Sequence, residues 1–210
     1  KYYNNSTEII NVLNLTPSYQ RYLKAEENFL KKTIPNRTQI LEIGAGHGRI
    51  IDALNNCKRK IIGIEITNLP FLKNKYKNDK NIQILRMDAH KLLFRNKSFD
   101  VCLIMYNTLG LMHNPLKVLE GCKRVTRKGG KIIISTYGMD ENYTLRERIK
   151  CFTKIGHKII KMQGLDLKIN NGVASHYFRK NELKILFKST NLKPVYYPLS
   201  KLGCVWIIKV

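Results

Sequence analysis

The stretch "ILEIGAGHGR", Ile40 to Arg49, constrains this chain more than any other. An apolar run carries an acid, Glu42, and glycines then recur at 44, 46 and 48. The apolar run reads as a buried strand. Glycines directly after such a strand let the backbone turn sharply and approach a ligand. The segment predicts the first strand–turn–helix unit of an α/β fold, with a ligand against the turn.

The rest of the chain continues the alternation. "GRIIDALNN" predicts a helix, "KIIGIEI" a second strand, and "NLPFLKNKYKN" another helix. "NIQILRMD" and "SFDVCLIMYN" read as the third and fourth strands. "NPLKVLEGCKRVTRKGG" predicts a helix closing on Gly129 and Gly130, and "KIIISTY" a fifth strand. This order predicts a parallel sheet with helices on both faces.

Both ends of the chain depart from that pattern. The part up to about Lys32 reads as two helical pieces broken at "NLTPSY". Thr16, just before Pro17, is placed to cap the second piece, where Tyr19, Tyr22, Leu23, Phe29 and Leu30 recur at near-helical spacing. Towards the other end, "HKIIKMQGLDLKI" and "VASHYF" flank "NNG", a hairpin-turn signal. "RKNELKILFKSTN" is an amphipathic helix, and "LKPVYYPL" and "GCVWIIKV" predict a closing antiparallel pair.

The expected fold class is α/β, Rossmann-like: a seven-stranded, mostly parallel sheet ending in an antiparallel pair. The expected organisation is one domain over residues 1–210. Residues 1–37 form a helical lid, 38–137 the ligand-binding core, 138–180 an inserted helix and hairpin over the acceptor pocket, and 181–210 the closing helix and strands.

Composition narrows the classes. At 43% hydrophobic and 25% charged, the chain reads as a soluble globular protein. No apolar run is long enough to span a bilayer, and "KYYNNSTEII" does not read as a signal peptide. The expectation is a cytoplasmic protein with no membrane partner. Cys57, Cys102, Cys122, Cys151 and Cys204 form no CxxC pair, so they read as reduced thiols and no metal site is expected. Lys and Arg number 38 against 15 acids, a net charge of +23. That balance fits a polyanionic partner such as RNA. It also fits compositional drift, because Asn, Ile and Tyr are abundant alongside Lys.

In an open α/β sheet, ligands bind beyond the carboxyl ends of the strands. The first strand delivers Glu42 and the glycine turn there, the second Glu65, the third Asp88 with Ala89 and His90, and the fourth Met105, Tyr106 and Asn107. Glu65 stands 21 positions after Gly44, where a carboxylate accepts from ribose hydroxyls. Asp88 is placed to accept from an adenine amine, with Ile66 and Met87 as apolar walls.

A dinucleotide and S-adenosylmethionine both use such a turn. The dinucleotide pattern requires a small residue where this chain has Arg49. Glu42 would also repel a pyrophosphate, whereas S-adenosylmethionine carries a sulfonium and an ammonium group. The local charges prefer the cationic ligand.

With these residues the chain resembles the class I S-adenosylmethionine-dependent methyltransferases. "LEIGAGHGR" looks like their first motif, "GIEIT" their second and "RMDAHKL" their third. "FDVCLIMYNTLG" looks like their fourth, and "CKRVTRKGGKIIIS" their helix–turn–strand after it. The resemblance implies that Gly44, Ala45 and Gly46 face the methionine portion, with Glu42 near its ammonium. Glu65 would hold the ribose, Ile66 the adenine face, and Asp88 with Ala89 its edge. Met105 would lie beside the sulfonium, and Arg21 and Tyr22 would reach the carboxylate. The product would be S-adenosylhomocysteine.

The acceptor is addressed by the segments around the fourth strand and the insertion. Asn107 is not followed by Pro-Pro, which argues against base-flipping chemistry on an exocyclic amine. "MYNTLGLM" instead resembles the fourth motif of small-molecule methyltransferases, amine-methylating ones in particular. Tyr106, Asn107 and His113 are the candidate catalytic residues, and Tyr137, His176 and Tyr177 the candidate acceptor-binding ones. The expected activity is methyl transfer to a small molecule at nitrogen, by in-line displacement. The alternative is an RNA methyltransferase, from the net charge and from "HYFRKNEL", which loosely resembles wobble-uridine methyltransferases.

Overall fold

In the computed structural model, which describes residues 15–55, 58–67 and 69–210, strands and helices alternate as the hydrophobic pattern predicts. The first half runs α1 (Pro17–Thr33), β1 (Gln39–Ile43), α2 (Arg49–Leu54), β2 (Lys60–Glu65), α3 (Leu69–Lys75), β3 (Ile82–Arg86) and β4 (Phe99–Ile104). A 3-10 turn (Thr108–Leu111) leads to α4 (Pro115–Val125) and β5 (Thr126–Tyr137). The insertion holds α5 (Glu141–Lys154), β6 (Ile159–Gln163), β7 (Asp166–Ile169) and β8 (Ala174–Ser175). The chain closes with α6 (Lys180–Ser189), β9 (Pro194–Pro198) and β10 (Gly203–Lys209).

The main sheet has the order β3-β2-β1-β4-β5-β10-β9. Strands β1 to β5 are mutually parallel, and β10 runs antiparallel to both β5 and β9. The expected fold class is therefore the observed one. Successive residues explain the two-sided burial. Leu41, Cys102, Ile132 and Ile134 face α4 and α6, packing on Val118, Leu119, Cys122 and Phe187. Ile40, Leu103, Ile133 and Val205 face α1 to α3, packing on Leu30, Ile51, Leu54 and Leu72. Each such side chain contributes about 1.5–3 kcal/mol on burial. From β1 the chain moves one way to β2 and β3, then returns to place β4 on the other side of β1. That reversal opens a crevice beyond the carboxyl ends of β1 and β4.

Three local expectations change, and one falls outside the described residues. The first of the two predicted N-terminal helical pieces lies within residues 1–14, outside the described residues, as does Cys57. Thr16 occupies the N-cap position of α1, but its hydroxyl does not cap the helix; it donates to Glu147 Oε2 at 3.5 Å. Helix α4 ends at Val125, before the predicted glycine stop, because Thr126 is extended (φ −81°, ψ 138°) and its hydroxyl donates to Cys122 O at 2.7 Å. "TRKGG" thus begins strand β5, and the β4–β5 register shifts between Phe99 and Val101 to accommodate it. The predicted hairpin is a three-stranded sheet, β6-β7-β8, with a second tight turn between Gln163 and Asp166 where Gly164 has φ +59°. "QGLD" carries no Asn-Gly or Asp-Gly signal, so that turn was hidden in the apolar pattern.

Candidate functional site

The glycine turn is fastened to β2 at two levels. Gly44 and Ala45 both donate their N–H groups to Ile64 O, at 3.0 and 3.1 Å. Gly46 N–H donates to Glu65 Oε2 at 2.9 Å. The other oxygen of Glu65 accepts from Ile66 N–H, Thr67 N–H and the Thr67 hydroxyl at 2.8, 3.1 and 3.2 Å. Gly44 has φ +71°, and a Cβ there would meet Thr108 Cγ2 at 2.6 Å. The turn therefore touches the segment that follows β4, across the switch point.

Beneath the turn, Glu42 is buried and its Oε2 has no hydrogen-bond partner. Burial pushes its carboxyl up to about 8; Arg49 opposes that rise, while Glu26 and Glu65 add to it. A buried, unpartnered carboxyl is costly unless a cation or donor meets it. The site has other acids nearby. Asp88, beyond β3, accepts from His90 N–H at 2.9 Å and bonds His90 Nδ1 at 2.7 Å. The backbone N–H of His90, above all, holds the Asp88 carboxyl below its usual range. Ala89 is buried, and Ile66 is exposed beside Glu65. This donor and acceptor set suits a ligand with positive charge at the turn and a polyhydroxylated, aromatic part towards β2 and β3.

The segment after β4 is strained. Tyr106 and Asn107 have φ of +51° and +55°, a left-handed pair that costs on the order of 1–3 kcal/mol per residue. Ser135 on β5 and Glu26 on α1 hold it. Tyr106 N–H donates to Ser135 Oγ at 2.5 Å and Glu26 Oε1 at 3.2 Å, and Asn107 N–H donates to Ser135 O at 3.1 Å. The Ser135 hydroxyl donates to Glu26 Oε1, and Arg49 pairs with Glu26 Oε2 and with Glu27 Oε1. Met105 is buried, and its carbonyl accepts from Thr108 N–H at 3.0 Å and the Thr108 hydroxyl at 2.6 Å.

Sequence reasoning missed Glu26, Arg49 and Ser135 as parts of this site. Glu26 carried a signal: it shares the buried face of α1 with Tyr19, Tyr22, Leu23 and Leu30, where an acid is out of place.

Tyrosines pack together between this segment and the insertion. Tyr19 meets Tyr106 and Tyr137 edge-on, with centroids 6.1 and 6.5 Å apart. Tyr137 stacks on Tyr177 at 6.5 Å. Tyr19 OH donates to Tyr137 OH at 3.4 Å. Burial raises the hydroxyls of Tyr19 and Tyr106 well above 10, so both stay protonated at neutral pH. From α5, Arg148 lies 4.6 Å from the Tyr137 ring centroid. Ser175 at the end of β8 and His176 after it accept both hydrogen bonds of the Asn107 amide NH2, at 3.4 and 3.0 Å.

The structure gathers most of the predicted residues at this end of the sheet and sets others apart. Arg21 is exposed, and its guanidinium donates to Ser18 Oγ at 3.5 Å on its own helix. Tyr22 is fully buried, its hydroxyl donates to Thr136 O at 3.4 Å, and its ring lies against Gly203. Helical phase explains both: one residue apart on α1, one faces solvent and the other the sheet. His113 is exposed and stacks on His90 at 3.8 Å, which puts it beside Asp88 and not in the tyrosine cluster. His176 directs Nδ1 to Asp166 at 2.8 Å and Nε2 to Glu182 at 2.7 Å. The Tyr177 hydroxyl is spent on Gly138 O at 2.6 Å.

Residues 41–134, just under half of the chain, match the family model described as "Methyltransferase domain". The chain is 36% identical over 118 residues to a Methanocaldococcus jannaschii protein named "Uncharacterized protein MJ1123", and spans 53% of that relative's length. A S-adenosylmethionine-dependent methyltransferase from Aquifex aeolicus superposes with a TM-score of 0.67 at 15% identity, over 92% of this chain and 93% of that one. The 1,6-didemethyltoxoflavin-N1-methyltransferase of Burkholderia thailandensis, crystallised with its substrate and S-adenosylhomocysteine, also gives 0.67 at 15% identity, over 90% and 77%. The fold is that of the S-adenosylmethionine-dependent methyltransferases.

Proposed function

We propose that this chain, folded as a S-adenosylmethionine-dependent methyltransferase, transfers a methyl group to nitrogen of a small-molecule acceptor. The observation that carries the cofactor is the unpartnered, buried Glu42 Oε2 at the root of the glycine turn. Glu42 would take the ammonium end of the cofactor. Glu65 would hold the ribose, Asp88 with Ala89 the adenine edge, and Ile66 one face of the ring. S-adenosylmethionine supplies a methyl group already activated by its sulfonium.

The residues of the chain align and enclose. Arg49 and Ser135 fix Glu26, and Glu26 with Ser135 fixes the left-handed Tyr106–Asn107 turn beside Gly44. That fixed turn supports a nucleophile held in line with the reacting methyl. The tyrosines and the insertion exclude water. Aromatic surroundings suit a compact organic acceptor, and the N1-methylation in the Burkholderia neighbour's name is in keeping with nitrogen.

The RNA reading has one observation of its own. Lys97, Lys123, Arg124 and Lys128 line a cationic groove. That groove lies by the amino ends of β4 and β5, across the sheet from the crevice. A polyanion bound there would not bring a base to Asn107, which favours the small acceptor.

The test is calorimetry followed by a labelled-methyl assay. S-adenosylmethionine should bind in preference to NADH, and methyl transfer into a fractionated small-molecule pool should survive ribonuclease. Preference for NADH, or transfer abolished by ribonuclease, would overturn the proposal.

A further inference from the structure

Arg148 is a fully buried guanidinium without a counter-ion. Its Nη1 donates to Leu165 O, its Nη2 to Ser175 O at 2.8 Å, and its plane lies over Tyr137. Nε has no partner. Among the described residues no carboxylate pairs with it, although acids in and beside the insertion pair elsewhere: Asp166 and Glu182 with His176, Glu141 with Arg179. Two backbone carbonyls and an aromatic face lower the cost of this charge but do not neutralise it. A buried water would satisfy the donor and still supply no negative charge.

A second unpartnered atom belongs to the same neighbourhood. Asn107 Oδ1 is buried and accepts nothing, while both amide protons of Asn107 are used on Ser175 Oγ and His176 O. That bonding fixes the amide orientation, so the free atom is the oxygen. Ser175 anchors both residues: its hydroxyl takes Asn107 and its carbonyl takes Arg148. One free cationic donor and one free acceptor are thus held by the same strand residue, beside the tyrosine cluster.

We infer that the acceptor is an amine that also carries a carboxylate. Arg148 Nε–H binds the carboxylate, and Asn107 Oδ1 accepts an N–H of the nucleophilic amine, beside the strained turn. A single free N–H matches a carboxylate oxygen better than a phosphate, whose several oxygens need several donors. Entry requires the insertion to move, because Arg148 and Asn107 are covered in this state. The inference rests on the methyl-transfer reading above and names its substrate class.

The experiment uses the whole chain saturated with S-adenosylhomocysteine, its arginine labelled with nitrogen-15. The Nε–H resonance of Arg148 is identified by its loss in Arg148→Lys. It should shift on titration with 3-phenylpropanoate and stay in place with 3-phenylpropanamide. An equal response to both probes, or none to either, overturns the inference. In the labelled-methyl assay, amino acids are compared with the amines left by their decarboxylation. The carboxylate member should be favoured by about 100-fold in kcat/KM, and Arg148→Lys should erase the preference while S-adenosylmethionine affinity by calorimetry is unchanged. Preference for the decarboxylated amine overturns the inference. If S-adenosylhomocysteine itself does not bind, the methyltransferase reading fails first, and calorimetry reports that separately.

Discussion

Gly46 and Glu65, 19 positions apart in the chain, are joined by a 2.9 Å hydrogen bond from the backbone N–H of one to the carboxylate of the other. The residue proposed for the ribose therefore also sets the shape of the turn proposed for the methionine end. In Glu65→Ala both contributions disappear. S-adenosylmethionine affinity by calorimetry should fall roughly 100-fold or more, from the loss of charge-assisted bonds, with the far-ultraviolet circular dichroism spectrum retained. Unchanged affinity would refute the ribose assignment.

Gly44→Val should lose stability and ligand binding together. The position has φ +71°, and its Cβ would overlap Thr108 Cγ2 at 2.6 Å. A β-branched residue there should destabilise the protein by about 2 kcal/mol or more, read as a lowered denaturation midpoint. Gly46→Val has no such overlap, because the nearest atom to its Cβ is 4.0 Å away. Its larger effect should be on cofactor affinity, through the crowded turn and the φ of +56°.

Glu42 should make binding depend on pH. Its carboxyl is raised from 4.5 to about 8, so the folded unliganded protein holds a proton that the unfolded chain releases. The associated stability is fully present below about 4.5 and is lost as pH rises to about 8. Glu42→Gln should accordingly gain thermal stability relative to the parent at pH 8, by about 2–4 °C for each kcal/mol recovered, and the gain should vanish by pH 4.5. A cationic ligand stabilises the ionised form, so S-adenosylmethionine binding should release a proton near pH 7 and strengthen towards pH 8. Calorimetry in buffers of different ionisation enthalpy measures that proton directly.

Ser135→Ala should uncouple the strained turn from the sheet. It removes the hydroxyl that accepts from Tyr106 N–H and donates to buried Glu26. We expect a stability loss of about 1–3 kcal/mol in urea denaturation. kcat should fall at least tenfold with little change in cofactor affinity, since Glu42 and Glu65 are untouched. A variant with parental kcat would show that this turn does not position the acceptor.

The sheet, and the glycine turn with the acids that end the strands beside it, were legible in the sequence because their signals are local. Glu42, the three glycines and Glu65 sit at fixed offsets within two adjacent strand–turn units, and buried parallel strands announce themselves as apolar runs. The surroundings of Tyr106 and Asn107 were legible only in outline. Glu26 meets Ser135 across 109 residues, and Arg148 meets Ser175 across 27, so no local pattern joins them. Arg148 sits on a helix whose neighbours include Glu141, Arg146 and Lys150, and nothing in that polar run marks it as the one guanidinium that faces inward. His113 is near the fourth strand in sequence, but the 3-10 turn after Asn107 carries it round to His90.

Strand β10 is the last of the described strands, yet it lies between β5 and β9, not at the sheet's edge. A ribosome releasing this chain from its N-terminus would expose the first five strands long before Gly203–Lys209 emerged. Until then one rim of β5 has unanswered amide and carbonyl groups, and β9 has no sheet partner. That rim belongs to the strand carrying Ser135 and Tyr137, so the turn they hold would be secured only once Gly203–Lys209 had emerged. A nascent chain stalled before residue 203 would hold its glycine turn while offering an open strand edge to its neighbours, the kind of seam on which aggregation begins.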